Sequence, residues 1–258
     1  MIALVTGASS GIGEATARRL AREPGARLVL VARREERLQA LARELGGATV
    51  VAVDLTDGDA PARVAEAVAR EHGRLDLLVN NAASSWRGTF AEAGVDNLRR
   101  HMELNFEAVA RLTEALLPTL RASAPSAIVN VSSVAGRIAR ARAGAYSASK
   151  FALCGWTDAL HLEEREHGVH VGLVLPGFVA TEGFPQRELT ERALTRWMVT
   201  RPEVLAEAIV DAGLNRKAER YSPRGYAIVP LLRVVAPRLV RRFTGGRTIT
   251  PSMPGDDA

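Results

Sequence analysis

The sequence predicts a single α/β domain, a doubly wound parallel sheet flanked by helices on both faces, followed by a basic C-terminal helical tail. Three observations carry this reading. Strand-like and helix-like segments alternate from the first residues to about Leu214. The strand-like segments are nearly continuous apolar runs, as expected of strands covered on both faces. The first of them passes directly into a glycine-rich turn and a helix.

Taken in order, Ile2–Thr6 is a short apolar strand, and Ile12–Arg22 has Ile12, Ala15, Thr16, Arg19 and Leu20 at helical spacing. Arg27–Ala32 reads as a strand, and Glu35–Leu45 as a helix closed by Gly46 and Gly47. Thr49–Val53 and Leu75–Val79 are strands on either side of a helix over Asp59–His72. One long helical pattern runs from about Val95 to Arg121. Ala127–Val131 is a strand, Tyr146–His167 a helix and Val169–Leu175 a strand, followed by helix-prone segments at Glu188–Met198 and Glu203–Leu214. The division is a core over residues 1–214, a substrate lid at about 182–201 and a basic tail over 216–258, with no repeat or long linker.

The bulk properties narrow the class. A chain of 258 residues that is 47% hydrophobic supplies a sizeable core. One cysteine, Cys154, excludes an internal disulfide and suits a reducing compartment. A strand starting at Ile2 leaves no space for a signal peptide, and no run of eighteen apolar residues exists, so a cytoplasmic protein is expected. The net charge of +5 is uneven: Arg216–Arg247 holds nine cations against Glu219 alone, and residues 1–215 sum to −1. A nearly neutral body argues against nucleic acid as a partner.

The stretch Tyr146-Ser-Ala-Ser-Lys150 is the candidate for chemistry. On a helix, i and i+4 share a face. A cation near a phenol favours the phenolate and brings a pKa of about 10 towards the working range of an acid/base catalyst. Lys150 and Lys217 are the only lysines among 34 basic residues, so position 150 kept a compact ammonium in an arginine-rich chain. A surface-decorating pair is the plain alternative. The second candidate is Thr6-Gly7-Ala8-Ser9-Ser10-Gly11-Ile12-Gly13, between strand and helix. Glycines there permit a tight turn, and the helix N-terminus offers free N–H groups to a pyrophosphate. The spacing G-x-x-x-G-x-G differs from the commoner G-x-G-x-x-G.

With Asp54-Leu55, Asn80-Asn81-Ala82, Asn105, Asn130-Val131-Ser132-Ser133 and Pro176-Gly177-Phe178-Val179-Ala180-Thr181 in their order, the chain resembles the compact short-chain dehydrogenase/reductase family from Ile2 to about Leu214. The resemblance implies a Rossmann-type fold and a tetrad of Asn105, Ser133, Tyr146 and Lys150. Ser133 is chosen over Ser132 because the family's serine precedes its tyrosine by thirteen residues. Tyr146 would exchange the proton and Ser133 hold the substrate oxygen. Lys150 would tune Tyr146 and bond the nicotinamide ribose, and Asn105 would anchor a proton-relay water. The cofactor would be held by Gly7, Ser9, Ser10, Gly11, Ile12 and Gly13, by Asp54, Leu55, Asn81 and Ala82, and by Pro176, Gly177, Val179 and Thr181, besides Tyr146 and Lys150. No metal is assigned.

Ala32 stands where the family's NAD users place aspartate, and Arg33 and Arg34 follow. Cations at a helix start oppose its dipole unless an anion binds, and a guanidinium suits a 2′-phosphate. NADP(H) is therefore expected, with Arg33 the main contact and Arg34 secondary. Ala83 replaces a usual glycine, and the family's frequent C-terminal strand with Val-Asp-Gly-Gly is missing, so loop placement and assembly, expected as a homodimer or homotetramer, are open to change.

The activity implied is hydride transfer to or from a carbonyl or secondary alcohol. Trp86, Phe184, Trp197 and Met198 favour an apolar small-molecule substrate, although packing of the lid onto the body explains them too. Arg137, Arg140 and Arg142, before Tyr146, admit a phosphopantetheine-type or carboxylate substrate, against which stands a solvated loop. The alternatives are a 3-oxoacyl-thioester reductase and a non-catalytic NADPH-binding regulator. Pro230 and Pro237 divide the tail into two expected helical pieces, read as a lid or dimer element with weak peripheral membrane contact through its arginines.

Overall fold

A computed structural model describes residues 1–181 and 199–244. Seven parallel strands form one sheet in the order β3-β2-β1-β4-β5-β6-β9. They are β1 (Ile2–Thr6), β2 (Arg27–Ala32), β3 (Thr49–Ala52), β4 (Leu77–Asn80), β5 (Ser126–Val131), β6 (Val169–Pro176) and β9 (Glu219–Ser222). A separate two-stranded pair joins β7 (Phe178–Val179) to β8 (Val199–Thr200). Helices α1 (Gly11–Leu20), α2 (Glu35–Glu44), α3 (Ala60–Glu71), α4 (Phe90–Met102), α5 (Ala108–Ala122), α6 (Gly144–Glu164) and α7 (Pro202–Gly213) cover the sheet.

Alternation along the strands sorts the core into two layers. Leu4, Val29, Leu78 and Ile128 pack with Val64, Leu112 and Leu116 of α3 and α5. Their neighbours Ala3, Val5, Leu28 and Val79 pack on the other face with Leu20, Leu38 and Ile209 of α1, α2 and α7. The strands order outwards from β1 in one direction and from β4 in the other, so the switch point lies between them. A crevice opens at their carboxyl ends, where open α/β sheets bind ligands.

Three features differ from the sequence expectation. The long pattern over 95–121 is two helices. A Thr89–Glu92 capping box starts α4, and Gly94 breaks it at φ 60° before the regular turns resume. A π-turn over Glu103–Glu107 separates α4 from α5 and carries Asn105. Second, the supposed tail begins within the sheet. Residues Glu219–Ser222 form β9 in register with Leu173–Pro176, Arg220 pairs with Asp211 at 2.9 Å, and Arg216 donates to the carbonyls of Ser126 and Gly168. The tail proper starts at Pro223. It consists of a 3-10 turn (Arg224–Ala227), α8 (Ile228–Val235) and α9 (Pro237–Thr244), with Pro237 opening α9 and Pro230 tolerated in the first turn of α8. Third, Ala83 does not adopt the left-handed conformation that would call for glycine. Of the expected lid, residues 199–201 are described. Glu188–Met198, and with it Trp197 and Met198, lies outside the described residues, as does Phe184.

Candidate active site

The crevice is a cavity of about 660 Å³ between the glycine loop and Phe178. At one end, Gly7 and Gly11 take left-handed φ values of 67° and 57°. Gly13 adopts no unusual φ but is packed so closely that a Cβ would strike the Gly7 carbonyl and come within 2.7 Å of Asn81 Nδ2. Asn81 closes this end by donating its backbone N–H to Thr6 Oγ1 and its side-chain amide to the Thr6 carbonyl, both at 2.9 Å. Ala82 N–H also donates to Thr6 Oγ1, at 3.0 Å. Threonine at the end of β1 therefore joins the turn after β1 to the turn after β4.

The two arginines after β2 part ways. Arg34 reaches across the loop and donates to Ser9 Oγ at 3.2 Å and Ser10 Oγ at 2.7 Å. Arg33 stays 76% exposed and meets Asp54 Oδ2 at 3.5 Å. Burial works against the charged form of Asp54, but hydrogen bonds from Thr56 and the Arg33 charge hold its carboxyl below its ordinary range. Ser9, Ser10, Arg33, Arg34 and Asp54 all face the cavity, so the residues present fit a phosphorylated ribose in a glycine cradle.

Deeper in, Ser133 and Tyr146 face the cavity together. Ser133 leaves the end of β5 as the cap of a 3-10 turn, accepting from Ala135 N–H at 3.1 Å. The adjacent Ser132 also reaches the wall, but its hydroxyl donates to the Lys150 carbonyl at 3.0 Å and touches Cys154 Sγ at 3.2 Å. Lys150 is 2% exposed, and Nζ donates to the Val131 carbonyl at 2.9 Å. Burial lowers its pKa to about 8. Tyr146 shows the opposite sign to the sequence argument. Burial raises its pKa, while hydrogen bonding with Ser133 and the charge of Arg140 work the other way. Lys150 Nζ is turned to Val131 and lies 6.0 Å from the Tyr146 ring centroid, and burial of the phenol outweighs the interactions that favour its charged form.

Of the residues proposed from sequence, Gly7, Ser9, Ser10, Gly11, Ile12, Arg33, Arg34, Asp54, Leu55, Asn81 and Ala82 line the cavity, as do Ser133, Tyr146, Lys150, Pro176, Gly177, Val179 and Thr181, whereas Gly13 and Asn105 lie behind the wall. Asn105 is fully buried; its amide donates to Ser84 O at 2.9 Å and Ser149 Oγ at 3.1 Å, and its Oδ1 accepts from Ser84 N–H. It thus ties the loop after β4 to the first turns of α6. Trp86 does not line the cavity. Its ring sits under the Arg100 guanidinium at 3.9 Å and edge-on to His101. Sequence reasoning missed His101, buried between Trp86 and Tyr146, and Arg87, which faces the cavity. It also missed the chain of Thr113, Asn80, Asn130 and Thr157 side chains that pins β4 and β5 to α5 and α6. The Asn80-Asn130 spacing was visible, but their parallel register was not.

Comparison with known proteins accords with this geometry. The model of the short chain dehydrogenase family matches residues 1–192. The chain is 36% identical over 190 residues to the zebrafish (Danio rerio) dehydrogenase/reductase SDR family member 7B, covering 70% of this chain and 61% of that protein, so it spans under two thirds of that relative's length. A short-chain dehydrogenase from Streptomyces avermitilis superposes with TM-score 0.80 at 32% identity, over 94% of this chain and 95% of that one. The L-sorbose reductase of Gluconobacter frateurii, solved with NADPH and L-sorbose, superposes with TM-score 0.77 at 30% identity, over 85% and 93%. By sequence, fold and the placement of its serine, tyrosine and lysine, the chain belongs to the short-chain dehydrogenase family.

Proposed function

We propose that the protein is an NADP(H)-dependent oxidoreductase acting on a carbonyl compound or secondary alcohol; the expectation of an apolar substrate loses the support of Trp86, which does not line the cavity. One observation carries this reading: Ser133, Tyr146 and Lys150 stand on the wall of the same cavity whose far end is the glycine loop braced by Arg34. The bound nicotinamide supplies or accepts the hydride. Tyr146, a neutral phenol at neutral pH, donates the proton in reduction and takes it back in oxidation. Ser133 holds the substrate oxygen beside it. Lys150 anchors the ribose, and Asn105 positions the loop and α6 while leaving room at Oδ1 for one further donor such as a relay water. Arg33, which is exposed and only loosely held by Asp54, is the main contact for a 2′-phosphate, and Arg34 the secondary one. The NADPH-bound structure of the sorbose reductase supports the cofactor class.

The test is a screen of ketones, aldehydes and 3-oxoacyl thioesters for oxidation of NADPH. Turnover of a ketone or aldehyde, neutral or carrying an acidic group, supports the reading. Exclusive turnover of thioesters selects the 3-oxoacyl reductase alternative, and NADPH binding without turnover of any class selects the regulator.

The tail belongs to the same proposal. The Tyr226 ring packs so closely on Gly177 that a Cβ there would come within 2.6 Å, which suits a lid. The outer face of α8 leaves Val234 and Val235 at 79% and 72% exposure, beside Arg238, Arg241 and Arg242. We take this face as a contact for a second subunit in a homodimer or homotetramer of the cytoplasm, with weak, salt-sensitive affinity for anionic membranes. No helix among the described residues is long and apolar enough to cross a membrane. Co-sedimentation with anionic liposomes at low salt should fall when Val234 and Val235 are both replaced by glutamate; equal recovery would remove the membrane contact.

A further inference from the structure

The loop before Tyr146 carries three arginines, and the structure separates them. Arg137 Nη2 lies 2.7 Å from Glu219 and 3.6 Å from Asp158. Arg142 Nη1 lies 3.2 Å from Glu92. Arg140 has no carboxylate partner among the described residues. Its guanidinium carbon stands 4.9 Å from the centroid of Phe178, and Arg140, Phe178, Tyr146 and Arg87 all line the cavity.

We propose that Arg140 is an anion-binding subsite of the substrate pocket, and that the substrate carries a carboxylate or phosphate group in addition to its carbonyl. Arg140 is half-buried at the cavity wall, and a guanidinium partly withdrawn from water is costly unless its donors meet an acceptor. A second cation facing the same space raises that cost. Burial and the Arg87 charge together lower the Arg140 pKa, and the groups that oppose them are the phenols Tyr146 and Tyr226, so no anion of the described chain stands against it. A carboxylate or a phosphate accepts from a guanidinium in bidentate fashion and offsets that cost. Arg33 and Arg34 stand with the glycine loop, and Arg140 stands with Tyr146 and Phe178, so this subsite is separate from the one proposed for the cofactor's phosphate. The Phe178 ring lies against the guanidinium, 4.9 Å from Cζ to the ring centroid, in cation–π contact.

This subsite rests on the oxidoreductase reading of the cavity, and the test therefore reads binding without turnover. Octanoate, octyl phosphate and octanol are titrated calorimetrically into the NADPH-loaded protein, as wild type, Arg140→Ala, Arg140→Gln and Arg142→Ala. The expected result is that one or both anions bind more tightly than the alcohol. Both Arg140 variants should then lose about tenfold or more of that preference, while Arg142→Ala keeps it. Octanoate against octyl phosphate tells carboxylate from phosphate. Equal binding of anions and alcohol by wild type, or an anion preference unchanged in both folded Arg140 variants, would overturn the proposal. Loss of the oxidoreductase reading would show separately, as intact anion binding in a protein that turns over no carbonyl compound.

Discussion

Lys150 Nζ donates to the backbone carbonyl of Val131 at 2.9 Å, inside a helix-sheet junction that leaves the side chain 2% exposed. The bond ties the lysine of α6 to the last residue of β5, one residue before the Ser132-Ser133 pair. It holds an ammonium almost wholly withdrawn from water, and burial brings its pKa to about 8.

The pH dependence of stability follows. The unfolded lysine titrates near 10.4, so between about pH 8 and that value the unfolded chain binds more protons than the folded one. Stability from this group therefore rises with pH across the window. Lys150→Met removes the effect. The stability of wild type relative to this variant, from urea unfolding at several pH values, should increase by an amount on the order of 2 kcal/mol from pH 8 to 10.4. A difference that is flat or falls with pH would contradict the buried ammonium.

Arg33 and Arg34 should separate in cofactor kinetics. Arg34 bonds to Ser9 and Ser10, so Arg34→Ala should weaken NADPH and NADH alike through the loop. Arg33 makes one loose contact with Asp54, so Arg33→Ala should lower the NADPH-over-NADH preference in kcat/KM about tenfold or more and leave NADH nearly unchanged. An unaltered preference in Arg33→Ala would remove it from cofactor choice.

Gly13 and Gly144 make a matched pair. A methyl group at Gly13 meets the Gly7 carbonyl and the Asn81 amide, whereas at Gly144 it meets nothing within 4 Å. Gly13→Ala should lose roughly 1–3 kcal/mol of stability and bind NADPH more weakly in a fluorescence titration. Gly144→Ala should do neither. Equal behaviour of the two variants would mean that the packing of the glycine loop is not what holds it.

The sheet and loop were legible in sequence because their signals are local. Apolar runs, a glycine turn and a Tyr-x-x-x-Lys spacing need no distant partner to be read. What was missed depended on partners far along the chain. Glu219–Ser222 has two charged residues in four and looked like part of the tail; it becomes an edge strand because Tyr221 packs on Leu173, Leu175 and Cys154 and Glu219 meets Arg137. The π-turn at Asn105 has no sequence mark, since helical periodicity continues through it. Arg137, Arg140 and Arg142 looked alike until Glu219, Asp158 and Glu92 claimed two of them. Lys150 was legible as a residue to notice, but the direction in which burial moves Tyr146 required the structure.

Tyr146 is proposed to exchange the proton in an NADP(H)-linked reduction. The direct measurement is the turnover of Tyr146→Phe with a carbonyl substrate found by the screen, alongside its NADPH affinity. The hydroxyl is removed and the ring packing against His101 is kept, so kcat should fall about 10²–10⁴-fold with NADPH binding close to wild type. Turnover within tenfold of wild type, with NADPH bound as tightly, would contradict it.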